Sequence, residues 1–163
     1  MIQARVKIIV PVLIITFIIP SCIGLEKFEN REKEEIQKFL FMNPDLNFEL
    51  KPSGLYYLDV KVGTGIQPVA HDTTYTFYTA TFLNNLIMGT NVGTQDTLIS
   101  PLGEGILIPG FEEALTYMKV GGKSLFIVPS YLGYGQTDYR IPSYTPLLFE
   151  VDLVRVKPGP GVK

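Results

Sequence analysis

Gly105–Gly135 reads GILIPGFEEALTYMKVGGKSLFIVPSYLGYG, and its punctuation decides the fold. The apolar run Ile106–Ile108 leads into Pro109-Gly110 and then a short helical pattern. There Phe111, Ala114, Leu115 and Met118 fall at i, i+3, i+4 and i+7, a single apolar stripe. Gly121-Gly122 predicts the stop, which gives a helix over Gly110–Met118. Ser124–Val128 then reads as a strand that ends at Pro129. A loop carrying Tyr131 and Tyr134 closes on Gly135.

Working outward, the flanks are strands. Leu55–Val62 is a strand that runs into Gly63-Thr64-Gly65. Thr73–Leu83 alternates Tyr75, Phe77, Thr79 and Thr81 with Thr76, Tyr78, Ala80 and Phe82, the pattern of a sheet with two occupied faces. Asn84-Asn85 is a hairpin turn candidate. Thr97–Ser100 and Leu147–Val156 complete the strands. Many strands and one short helix define an α+β domain, an antiparallel sheet packed on that helix. Pro158-Gly159-Pro160-Gly161 cannot continue a strand, so residues 158–163 are expected to form a flexible tail.

The N-terminus has a different character. The chain has 163 residues and is 46% hydrophobic, a figure raised by Ile8–Ile19, which follows Arg5 and Lys7. That run is too short to span a bilayer as a helix and fits a signal-peptide core. Pro20-Ser21-Cys22 follows, with a small residue before the only cysteine of the chain. Residues 1–21 read as a bacterial lipoprotein signal, with Cys22 the lipidated mature N-terminus. A plain cleaved signal with a free Cys22 is the alternative. Without Arg5 and Lys7, twelve Lys and Arg stand against sixteen Asp and Glu, a side-chain net charge of −4. That balance speaks against nucleic acid as a partner.

Residues 22–50 are expected to form a lipid-anchored charged helix and linker. Leu25, Phe28, Ile36, Phe39 and Leu40 are thinly spaced among Glu, Lys and Arg, which predicts a surface helix with a modest packing stripe near its end. Pro44 pushes Asn43 out of the helical region and ends it. Its role reads as a spacer between membrane and domain, with a partner-binding arm as the alternative.

The ordered pattern from Gly105 to Gly135 resembles the FKBP family of peptidyl-prolyl cis–trans isomerases, and the likeness extends over Leu55–Lys157. It implies a sheet half-wrapped around the short helix, with the family's pocket between them, in a domain spanning residues 51–157. Gly54-Leu55-Tyr56-Tyr57 and the lipoprotein start look like exported bacterial members. The implied activity needs no cofactor or metal. Rotation about an X–Pro bond passes through a twisted amide with a barrier of ~18–20 kcal/mol. A site accelerates it by taking the prolyl ring into an apolar pocket and by hydrogen bonds that fit only the twisted form. Each ~1.4 kcal/mol of such preference is a tenfold gain in rate.

Carried over residue by residue, the resemblance makes Tyr78 a wall tyrosine, although an ordinary strand aromatic would look the same. Leu107 and Ile108 match the aliphatics before the helix, whose backbone N–H groups bind the substrate carbonyl. Phe111 takes the floor position and also anchors the helix. Tyr134 matches the tyrosine whose hydroxyl donates to a bound ligand. Ile141 and Phe149 match further apolar walls. The departures lie in Asn85–Thr90, where the family's Gly-x-x-Phe-Asp-Ser becomes NLIMGT. Met88 fills an aromatic position, Gly89 stands where a carboxylate is usual, and Leu98 replaces a phenylalanine. Asp96 could stand in for the missing acid only if its loop were shifted.

Gly63-x-Gly65 and Gly103-x-Gly105 lack the third glycine of a dinucleotide loop and read as turns. His71, the only histidine, has no second ligand for a metal and reads as a solvated turn residue. The leading expectation is an isomerase acting on proline-containing polypeptides of the bacterial cell envelope, anchored through Cys22, with the outer membrane as the surface. A binding module or holdase with little turnover is the rival, motivated by Gly89. A structural lipoprotein that works through its helix is the third.

Overall fold

A computed structural model describes residues 21–136 and 141–160. Helix α1 is Ser21–Met42, and α2 is Pro109–Tyr117. The strands are β1 Glu49–Leu50, β2 Tyr56–Lys61, β3 Thr73–Phe82, β4 Ile87–Thr90, β5 Leu98–Pro101, β6 Lys123–Val128 and β7 Leu147–Lys157. All pair antiparallel in one sheet of order β1-β2-β6-β7-β3-β4, and β5 joins the first half of β3. The α+β expectation is met; the limits of the five strands read in the sequence differ by a residue, and the short β1 and β4 were not among them. The proposed signal, residues 1–21, lies outside the described residues except for Ser21, as does the tail beyond Pro160.

β3 and β7 form the spine, paired from Thr73–Lys157 to Phe82–Leu147. Along β7 the inward residues are Leu147, Phe149, Val151 and Leu153, a period of two. Tyr75 pairs Arg155 and Thr76 pairs Leu153, so Val154 is an extra, bulged residue. The bulge shifts parity by one and lets Val156 face inward, where it is 8% exposed.

α2 lays Phe111, Ala114, Leu115 and Met118 on the inner face of this sheet, against Phe126, Phe149, Val151 and Leu153. Two corrections concern its ends. Pro109 opens the helix, its fixed φ suited to the first turn, with Ile108 extended as N-cap. The helix also stops at Tyr117, not at Gly121. Met118 is already extended (φ −81°, ψ 158°), which turns its buried side chain into the core. Gly121, at φ 84°, then leads into β6. Gly110 permits the helix to approach β6, since a Cβ there would stand 2.6 Å from the Val128 Cγ1. Gly63 has the same constraint, as a side chain would meet the Lys119 carbonyl oxygen.

The outer face is covered by α1. Ile36 and Phe39 are buried with Leu83 and Ile127, and Leu40, Tyr56 and Leu148 pack around them. The expected stripe is therefore real, and it docks the second half of the helix onto the domain instead of leaving it a free spacer. Asn43 closes the helix, its Nδ2 donating to the Phe39 carbonyl at 2.8 Å. Asn85 takes the left-handed conformation (φ 68°) in the β3–β4 turn, as Asn84-Asn85 predicts.

Candidate prolyl-binding site

The site begins with four rings. Phe111, at the start of α2, stands edge-on to Phe126 at 5.5 Å, to Phe149 at 5.3 Å and to Tyr78 at 6.2 Å. Phe126 and Phe149, on neighbouring strands, stack at 5.5 Å. Phe111, Phe126 and Phe149 are buried, and Tyr78 is half-buried at the margin of the group. Edge-to-face geometry satisfies the ring quadrupoles and fixes the orientation of each aromatic.

The other expected residues gather around this floor. Met88, Leu98, Leu107 and Ile108 are partly buried against the same cluster, and Ile141 belongs to it. Tyr134 follows the 3₁₀ turn Ser130–Leu132 and is 40% exposed. Burial raises the pKa of its hydroxyl above the ordinary phenol value, and the nearby Tyr78 adds to the shift. Tyr134 is thereby held as a neutral donor through the physiological range. The structure thus places all nine non-lipid candidates in or beside one aromatic group. Cys22 lies in the first turn of α1, remote in sequence from this site, and its side chain is outside the described residues.

Ile108 is positioned by the entry into α2. Its carbonyl accepts the N–H groups of Phe111 and Glu112 at 2.9 and 3.2 Å, which is the first turn of the helix. Among the described residues its own N–H meets no acceptor at hydrogen-bond distance. The preceding Leu107 N–H is engaged by the Glu112 carboxylate at 3.4 Å. A backbone donor is therefore presented at the N-terminus of α2, beside Phe111.

Two features were not read from the sequence. Phe126, fully buried, packs against Phe111 and Phe149 and supports the floor without surface of its own, and the alternation of β6 could have marked it. Asn91 acts as a staple between the two short strands that border β3. Its Oδ1 accepts the Tyr78 N–H at 2.6 Å, and its Nδ2 donates to the carbonyls of Thr76 and Asp96, each at 3.1 Å. β5 pairs with β3 up to Thr76 and β4 from Thr79 onward, so one carboxamide bridges the interval in which Tyr78 sits.

β4 itself is irregular at the departure from the family pattern. Ala80 pairs Gly89 and Thr81 pairs Ile87, so Met88 is a bulged residue and packs against the core cluster. Bulges re-aim side chains at sheet edges, which suits a flexible Met in an aromatic position. A Cβ on Gly89 would have the Tyr78 hydroxyl, 4.0 Å away, as its nearest neighbour. The expected carboxylate position thus faces Tyr78 and is empty of side chain. Asp96 is exposed in the turn before β5, with its backbone tied to Asn91 and Thr94. His71 is likewise exposed, in a turn at φ 72°, with Nδ1 2.8 Å from Glu104.

Fold and site define an FKBP-like domain, and comparison with known proteins gives the same result. The family model for FKBP-type peptidyl-prolyl cis-trans isomerase matches residues 65–154, and the chain belongs to this family. The isomerase FkpA of Aeromonas hydrophila is 35% identical over 106 residues, 64% of this chain and 39% of that protein. FkpA of Escherichia coli K12 is 34% identical over 136 residues, 81% of this chain and 47% of its own length. The crystal structure of Escherichia coli FkpA superposes with a TM-score of 0.68 at 27% identity, over 86% of this chain and 67% of that one. The chain spans less than half the length of either FkpA sequence. The family model's span, residues 65–154, includes the aromatic floor and Tyr134 and leaves out α1.

Proposed function

We propose that the protein is a peptidyl-prolyl cis–trans isomerase that assists the folding of exported proteins. The observation that carries this reading is the aromatic group of Phe111, Tyr78 and Phe149, with Ile108 packed against it at the entry to α2 and Tyr134 near Tyr78. The prolyl ring enters over Phe111, between Tyr78, Met88 and Phe149. Removing the amide from water favours the twisted form, which is less dipolar than the planar one. Ile108 donates its N–H to the substrate carbonyl, and Tyr134 donates its O–H to the bound segment. No bond is made or broken, so this inventory is sufficient.

The test is the cis–trans rate of a short Xaa-Leu-Pro-Phe peptide with the full chain. Clear acceleration is expected, and Tyr134→Phe should lower kcat/KM by about tenfold, the share of one hydrogen bond specific to the transition state. Because the Tyr134 pKa is raised, loss of its proton should not reduce the rate below about pH 10, the ordinary phenol value. An unchanged rate for a folded Tyr134→Phe protein would count against the site. Peptide binding without acceleration would favour the second reading, a prolyl-binding module, to which the absent carboxylate at Gly89 points.

The location we propose is the bacterial cell envelope, with Cys22 lipidated at the outer membrane. The support is the Arg-Lys-flanked apolar run followed by Ser21-Cys22. Acyl chains hold by burying methylenes, at about 0.8 kcal/mol each. Cys22→Ser should move the protein from the membrane to the soluble fraction and abolish incorporation of an alkyne-tagged palmitate. A membrane-bound Cys22→Ser protein would refute the anchor.

A further inference from the structure

We propose that Glu32, on α1, is a positioning residue for the turn that carries Tyr134. The proposal rests on the reading of Tyr134 given above.

Glu32 is only 5% exposed, although it lies in a strongly charged stretch of α1. Both of its carboxylate oxygens are used by one residue. Oε1 accepts the Ser130 N–H, and Oε2 accepts the Ser130 hydroxyl at 2.7 Å. Ser130 is the first residue of the 3₁₀ turn, and its carbonyl accepts the N–H groups of Gly133 at 2.9 Å and Gly135 at 2.8 Å. Tyr134 lies between those two glycines. The chain of bonds from Glu32 through Ser130 to the flanks of Tyr134 is therefore continuous.

α1 also grips the return of the same segment. The Gly135 carbonyl accepts the Tyr144 N–H at 2.8 Å. The Tyr144 ring stacks on Phe28 at 5.1 Å with 10° between planes, and Arg31 Nη2 donates to the Ser143 carbonyl at 3.2 Å. The Arg31 guanidinium lies over Phe28 at 5.2 Å. Tyr144 sits at φ 57°, a conformation that a bulky residue holds only when its surroundings fix it. Ile36 and Phe39 dock the helix by packing, but Phe28, Arg31 and Glu32, one to two turns earlier, hold this segment and not the sheet. A carboxylate used for docking alone would have no need to spend both oxygens on the residue whose carbonyl organises the Tyr134 turn.

The test compares Glu32→Ala, Glu32→Gln and Ile36→Ala in the full chain. Glu32→Ala is expected to lower kcat about tenfold with little change in KM, because Tyr134 is mispositioned for the transition state. Exchange of the Gly133 and Gly135 amides should rise about tenfold, reporting local opening of the turn. Glu32→Gln keeps an acceptor for the Ser130 N–H and offers a donor to its hydroxyl, so it should recover most of both losses. Ile36→Ala weakens docking by packing alone and should lower Tm while leaving kcat of the folded protein near wild type. The proposal is overturned if Glu32→Ala changes neither quantity. It is also overturned if Ile36→Ala, at a matched drop in Tm, lowers kcat as much. A wild-type protein without isomerase activity would overturn the reading of the site, and this proposal with it. Normal wild-type activity with an indifferent Glu32 would overturn the proposal alone.

Discussion

Gly89→Asp should raise kcat/KM toward a Leu-Pro peptide by about tenfold, corresponding to ~1.4 kcal/mol of added transition-state preference. The backbone at Gly89 does not need a positive φ, and a built Cβ meets only the Tyr78 hydroxyl at 4.0 Å. A carboxylate there can accept the Tyr78 O–H, a charge-assisted bond of roughly 1.5–3 kcal/mol that would fix the phenol at the edge of the aromatic group. Aspartate is unfavourable in strands, but the whole strand scale spans only about 1 kcal/mol, and β4 is a four-residue edge. The fold should therefore tolerate the change. Gly89→Ala is the control, adding a side chain with no acceptor, and should leave the rate near wild type. An unchanged rate for a folded Gly89→Asp protein would mean that the pocket is complete without an acid at this position.

The second large effect concerns Phe111. It is 3% exposed and lies edge-on to Tyr78, Phe126 and Phe149, so truncation to alanine removes the centre of the group. Phe→Ala in a core costs about 3–5 kcal/mol, against a total stability of roughly 5–15 kcal/mol for a domain. At ~2–4 °C per kcal/mol, Tm should fall on the order of 10 °C. Activity should be lost as well, which alone would not separate binding from folding. Phe111→Leu makes the separation. It retains most of the apolar volume and should restore much of the stability, yet it leaves no ring face for the prolyl group. Phe126→Leu, one layer behind, should lose similar stability and keep its activity. If the two leucine variants lose activity equally, the floor of the site is not Phe111.

The parts of this fold that were legible in the sequence are those governed by local rules. Pro109, the Phe111–Met118 stripe and the Gly121-Gly122 break locate α2 to within two residues, because capping and periodicity act over one or two turns. The alternation of β3 and β7 gives the spine for the same reason. What escaped depends on partners distant in the chain. Glu32 looks like its charged neighbours, and only Ser130, 98 residues away, makes it a buried acceptor. Its position four residues before Ile36, on the face of Ile36 and Phe39, is the one local hint. Asn91 reads as a turn residue, and its bridging of Thr76 and Tyr78 depends on where β4 and β5 end. The bulges at Met88 and Val154 carry no residue signature, because pairing with β3 alone creates them.

The borders of the sheet have a bearing on the company this protein keeps. A long open strand edge is a template on which another chain can add itself, and incompletely folded chains are rich in segments able to do so. Here the outermost strands are β1, with two residues, and the four-residue β4 and β5, one of them bulged at Met88. The long strands β3 and β7 lie inside. Each of these border strands is only two or four residues long. An extended chain bound at the site proposed above would therefore find little strand edge beside it on which to pair along the backbone.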